Sequence, residues 1–112
     1  MSIKIETFAP EINITIKEVT EFKKDMEEFV SRRSDYYILH LKDVTYMNSA
    51  ALGIIANSVL QVKNNHGKLV ISGLQPPIKK IFNLVHFESF IDLFDEYEEA
   101  LAYLNGVSET SK

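Results

Sequence analysis

Over residues 17–33 apolar side chains recur at Val19, Phe22, Met26, Phe29 and Val30, with lysines, an aspartate and glutamates between them. On a helix of about 3.6 residues per turn these positions form one stripe. Arg32 and Arg33 fall in its last turn, where cations complement the dipole. Ser34-Asp35 reads as a turn, and the period then changes. Tyr36, Tyr37, Ile38, Leu39 and Leu41 are nearly continuous, which predicts a strand at 36–41 buried on both faces at the centre of a parallel sheet. Residues 49–65 return to the helical period, with Leu52, Ile55, Ala56, Val59 and Val62 inward. Asn64-Asn65-His66-Gly67 ends that helix, Gly67 supplying the left-handed residue.

The second half repeats the alternation. A strand is predicted at 69–71. Gln75-Pro76-Pro77 opens a helix with proline in its first turn, where a missing N–H costs nothing, and Ile78, Ile81, Phe82 and Val85 face inward. A short strand at 90–94 and a helix at 95–104 complete the series. Before all of these, Ile3 and Ile5 alternate with Ser2, Lys4 and Glu6 as in a half-buried strand. That pattern breaks at Thr7 and Phe8 and stops at Pro10. Ile12, Ile14 and Ile16 alternate again, and Thr15 is placed to cap the helix behind it. Strands and helices in this order specify the α/β class, with a mixed, mostly parallel central sheet and flanking helices. No repeat, linker or low-complexity tract interrupts the chain. The reading is one domain over residues 1–106 and a flexible polar tail over 107–112.

Composition narrows the function. The chain has 112 residues, of which 46% are hydrophobic, enough for one ordinary core. Its formal charge of −4 is spread over interspersed acids and bases, so no basic footprint for nucleic acid exists. There is no cysteine, hence no disulfide framework or thiolate metal site. No basic-then-apolar leader opens the chain, and no apolar run approaches the roughly 20 residues needed to span a bilayer. A cytoplasmic protein without membrane insertion is expected. His40, His66 and His86 are scattered without ligand spacing, so no metal and no other cofactor is expected. Asp95, Glu96, Glu98 and Glu99 are explained by the positive end of a helix rather than by acid–base chemistry. No phosphate-cradling glycine loop or nucleophile elbow is present. No catalytic residue is assigned. A hydrolase using Ser49 lacks a base near it in sequence.

The most informative stretch is 36–53. The strand run ends in Lys42-Asp43, a second short apolar run follows at 44–47, and then Asn48 and Ser49 stand directly before the helical period. Both residue types accept the free N–H groups of a first turn. Ser49 is therefore expected at a strand-to-helix junction, near the surface, at the positive end of a dipole that favours phosphate. Modification of that hydroxyl is the function such a place suggests.

Asn48-Ser49-Ala50-Ala51-Leu52-Gly53 resembles the signature of STAS domains, most closely the bacterial anti-sigma factor antagonists. In that family a buried strand leads to Asp-Ser-Ser/Ala/Thr-Gly-Leu-Gly, and the serine after the aspartate is phosphorylated. Two departures stand out: Asn48 replaces Asp and Ala51 replaces Gly. The resemblance continues through Gly67-Lys68-Leu69-Val70-Ile71-Ser72-Gly73-Leu74, the helix from Pro76 to Leu84 with Phe87, and Tyr97-Glu98-Glu99-Ala100-Leu101. It spans roughly residues 11–104.

The resemblance implies a non-enzymatic switch. Ser49 would be the phosphorylation site, and Asn13, Asn48, Ser49, Ala50, Pro76 and Lys79 the partner-binding surface. Asn13 stands where the family often has Asp in a Gly-x-hydrophobic-Asp turn. The implied partners are an anti-sigma factor that is also a serine kinase and a serine phosphatase, and the chain itself would be a monomer or weak homodimer. The alternative is a constitutive, unphosphorylated STAS subunit of a larger assembly, such as a lipid transporter or signalling scaffold. The N-terminal portion is short for the family, so a usual edge strand is expected to be absent or replaced by pairing with another chain.

Overall fold

A computed structural model describes residues 3–110, and for 108–110 the backbone alone. The elements are β1 (Ile5–Phe8), α1 (Val19–Ser31), β2 (Tyr36–His40), α2 (Ser49–Asn64), β3 (Lys68–Ser72), α3 (Pro76–Leu84), a 3-10 turn at Phe87–Ser89, and α4 (Tyr97–Thr110). The sheet order is β1-β2-β3, and both pairings are parallel. Ile5 lies opposite Tyr36, and Tyr36 opposite Lys68.

Side chains alternate across a strand, so each strand serves two layers. Tyr37, Leu39, Leu69 and Ile71 point to one face and pack with Phe22, Met26 and Phe29 of α1, Ile55 and Val59 of α2, and Ile78 and Phe82 of α3. Ile38 and Val70 point to the other face and meet Ala100 and Leu104 of α4. A polar clasp holds α4 there. Lys68 Nζ pairs with Asp92 at 3.1 Å, Tyr103 Oη donates to the same carboxylate at 3.0 Å, and the ammonium lies 5.5 Å from the Tyr103 ring centroid. Burial works against the Lys68 charge, but the bonds to Asp92 and Tyr103 together outweigh it and raise its pKa.

Several boundaries depart from the sequence reading. The predicted strand at 90–94 is reduced to a single bridge between Ile71 and Leu93. Phe94 N–H donates to Ile71 O and Ile71 N–H to Asp92 O, but Phe87 and Ile91 are spent on packing around the 3-10 turn. Ile12, Ile14 and Ile16 form no strand: only Ile14 is buried, through one bridge to Met47. Arg32 is the extended residue after α1, not part of its last turn; it is held by Glu28 and by Glu6 of β1, both at 2.9 Å. At the end of α2, His66 takes the left-handed conformation (φ 67). Gly67 is needed for space instead, since a Cβ there would lie 3.2 Å from Asp35 O. Leu52 and Ala56 are half-buried, while Ala51 and Ser58 are buried. α4 continues through Gly106 to Thr110.

Candidate functional site

The loops that follow the three strands gather at the carboxyl end of the sheet, where open parallel sheets place their sites. Two of them are stitched together. Ile14 N–H donates to Tyr46 O at 3.1 Å, and Asn48 N–H donates to Ile14 O at 2.9 Å. Asn13 strengthens the join: its Oδ1 accepts from the Thr45 N–H at 2.8 Å and the Tyr46 N–H at 3.2 Å. The loop after β1 and the loop before α2 therefore form one corner, bringing Asn13 beside the segment that carries Asn48, Ser49 and Ala50.

At that corner the cap of α2 is Asn48, not Ser49. The Asn48 backbone is extended (φ −84, ψ 175), and its Oδ1 accepts from the Ala51 N–H at 2.9 Å. Leu52 N–H donates to the Asn48 carbonyl. Ser49 is the first helical residue, and Ser49 and Ala50 are both exposed. With the amides of Ala51 and Leu52 taken, those of Ser49 and Ala50 are the ones left at the positive end of the helix.

An apolar rim surrounds the corner, and the sequence reading missed it. Ile12 is 58% exposed, Ile16 83% and Tyr46 48%. The two isoleucines flank Ile14, so a regular strand would have buried all three. A tight turn prevents this: Thr15 N–H donates to Glu18 Oε1 at 2.9 Å, the Thr15 hydroxyl donates to the same oxygen, and Glu18 N–H donates to Thr15 O at 3.1 Å. The hydroxyl bond is the main reason the Glu18 carboxyl is held below the ordinary carboxylate value. Thr at 15 and Glu at 18 have capping-box spacing, and that signal was available in the sequence.

Lys79 and Pro76 stand apart from these contacts. Pro76 is exposed at the start of α3, whose preceding residue Gln75 donates from Nε2 to Lys42 O at 2.6 Å. Lys79 Nζ pairs with Asp95 at 2.6 Å, so it is tied to the approach to α4. It borders a cleft of about 570 Å³ lined by His40, Lys42, Gly73, Gln75 and Tyr97 among others. In that cleft His40 Nδ1 lies 2.8 Å from Ser72 Oγ, and the His40 ring meets Tyr97 edge-on at 5.2 Å. Gly73 has φ +72, and a Cβ on it would come 2.7 Å from His40 Cε1, so no other residue fits there without moving the ring. Among the described residues no group of three or more His, Cys, Asp or Glu is placed to hold a metal ion, and no helix is long and apolar enough to cross a membrane.

Comparison with known proteins agrees with this geometry. The anti-sigma F factor antagonist of Paenibacillus polymyxa is 24% identical over 87 residues, 77% of this chain and 74% of that protein. A putative sulfate transporter of Bacillus subtilis is 26% identical over 85% of this chain but only 18% of its own length. The crystal structure of a putative anti-sigma factor antagonist from Thermotoga maritima superposes with a TM-score of 0.81 at 21% identity, covering 88% of this chain and 86% of that one. The STAS domain family model matches residues 6–100. With its parallel sheet, its flanking helices and the serine that opens α2, this chain belongs to the STAS domain family.

Proposed function

We propose that this chain is a cytoplasmic, non-enzymatic partner switch. In its free form it binds an anti-sigma factor of the serine-kinase type; phosphorylation of Ser49 releases it, and a serine phosphatase resets it. The observation that carries the reading is Ser49 itself. It is exposed, it opens α2, and it lies on the corner whose neighbours Ile12, Ile16 and Tyr46 are exposed apolar side chains. A phosphate there adds nearly two negative charges beside the amides of Ser49 and Ala50. The helix dipole favours that charge, so the fold survives it. An apolar partner surface seated on the isoleucines would have to desolvate it, so binding does not. Asn13, Asn48 and Ala50 shape this contact, and Pro76 and Lys79 extend it at the start of α3. The direct test is incubation with the candidate kinase and ATP, followed by intact mass and a pull-down of the anti-sigma factor. Phosphate on Ser49 with loss of the partner is the expected result; an unmodified chain that keeps its partner would overturn the switch.

A second reading has its own support. The transporter relative carries a matching segment within a much longer protein, and Asn48 and Ala51 depart from the phosphorylated motif. In that case the same corner would seat a constitutive partner, and Ser49→Asp would weaken binding although no kinase modifies the native serine.

A further inference from the structure

The sheet ends on β1, and among the described residues nothing pairs with its outer edge. Which backbone groups point outward follows from the ladder. Tyr36 N–H donates to Lys4 O at 3.2 Å, and Lys4 N–H is taken by Asp35 Oδ2 at 3.0 Å, so Lys4 faces β2. Backbone groups alternate sides along a strand, so Glu6 and Phe8 also face β2, and the N–H and C=O groups of Ile3, Ile5 and Thr7 face outward. An open edge of this kind is a template for another strand. No bulge or proline blunts it within Ile5–Phe8.

We propose that the chain self-associates along this edge. Two copies pair antiparallel about a two-fold axis at Ile5, and two three-stranded sheets become one continuous sheet. The outward groups restrict the registers to those that place Ile3, Ile5 and Thr7 opposite one another, and charge then selects among these. Moving the axis to Glu6 would set that carboxylate against the partner's Glu6. Moving it to Lys4 would set two ammonium groups together. With the axis at Ile5, Lys4 faces the partner's Glu6 and Glu6 faces the partner's Lys4, in non-hydrogen-bonded positions whose Cα atoms are about 4.5 Å apart. Lys4 is exposed and makes no ion pair among the described residues, so its ammonium is free for this contact. On the other face, the half-buried Ile5 meets the partner's Ile5 beside Ile38 and Val70. A closed two-fold contact uses the β1 edge of each copy, so association through that edge stops at two.

The test uses the full 112-residue chain. Sedimentation velocity over a wide concentration range should show a monomer–dimer equilibrium. Lys4→Glu should raise the dimer dissociation constant about tenfold or more, because both attractive pairs become repulsive. Glu6→Lys should do the same, although it also releases Arg32 from its pair with Glu6, so the mixing experiment carries the comparison. Mixing the two variants should restore association, since the carboxylates of one chain then face the ammonium groups of the other. Amide exchange on the unmodified protein supplies a readout that needs no variant to fold: protection at Ile5 and Thr7 should rise with concentration, while Glu6 is protected throughout. A chain that stays monomeric, or a dimer indifferent to both charge reversals and to their mixing, would overturn the proposal.

Discussion

The two faces of the sheet are built to different depths. On one, three helices lie over Tyr37, Leu39, Leu69 and Ile71, and the packing runs unbroken from Phe22 through Ile55 to Phe82. On the other, α4 is the one helix over Ile38 and Val70, with Ala100 and Leu104 and with Phe94 beside them, and the Lys68–Asp92–Tyr103 clasp holds it there. The difference teaches where stability resides and where the candidate site lies. The thick face carries the hydrophobic stabilisation, and its carboxyl end carries the corner with Ser49. The thin face depends on one helix.

The sharpest way to break this contrast is truncation on each side. Ile55, fully buried under α1, should lose about 2–5 kcal/mol as Ile55→Ala, because the surrounding helices cannot collapse into the hole. Leu104 is equally buried, yet only α4, the sheet and Phe94 surround its cluster. Leu104→Ala should cost about 2–3 kcal/mol, in the lower part of the same range. Denaturant melts of the two variants compare the faces directly, and equal losses would erase the distinction. Leu52→Ala refines the picture within α2. Its side chain is only half-buried, so its loss should be about 1–2 kcal/mol rather than a full core penalty.

Smaller effects concern the rim of the thick face. Ser49→Asp should leave stability within about 1 kcal/mol of the unmodified chain, since a carboxylate suits a helix start. Its binding to the proposed partner should fall by far more than that. A Ser49→Asp protein that melts normally and binds normally would detach the corner from the switch. The smallest effect is expected at Glu18. Its folded-state pKa lies below the ordinary value of 4.5, so its contribution is present above that value and is lost as pH falls through the depressed one. Glu18→Gln should flatten the acid limb of a stability–pH curve slightly, and an unchanged acid limb would show that the Thr15 turn carries no titratable stabilisation.

The elements most legible in the sequence were those with long, unmixed periods. The stripe of α1, the apolar run of β2 and the helix after Ser49 all lie where their patterns place them, because one physical demand governs each. Segments serving two demands misled. Phe90, Ile91 and Phe94 read as strand, but Ile91 is drawn into the core by the 3-10 turn, and the ladder survives only at Leu93. Gly106 read as a stop, although one glycine costs a helix only about 1 kcal/mol, less than the remaining ladder supplies. At the candidate site, the exposed serine at a helix start was visible in the sequence. The isoleucine rim was not, because alternation predicts burial, whereas Ile16 lies in the turn between Thr15 and Glu18 and Ile12 is outside any strand. Nor was the stitching role of Asn13, since its partners lie more than thirty residues away.

The cap on α2 is an amide. Asparagine has no proton to gain in acid, whereas an aspartate would become neutral there and its grip on the first turn would slacken. The cap that presents Ser49 therefore has no titrating group of its own. Acid reaches this corner instead through the Glu18 carboxylate that holds Thr15, next to the Ile14 backbone that joins Tyr46 and Asn48.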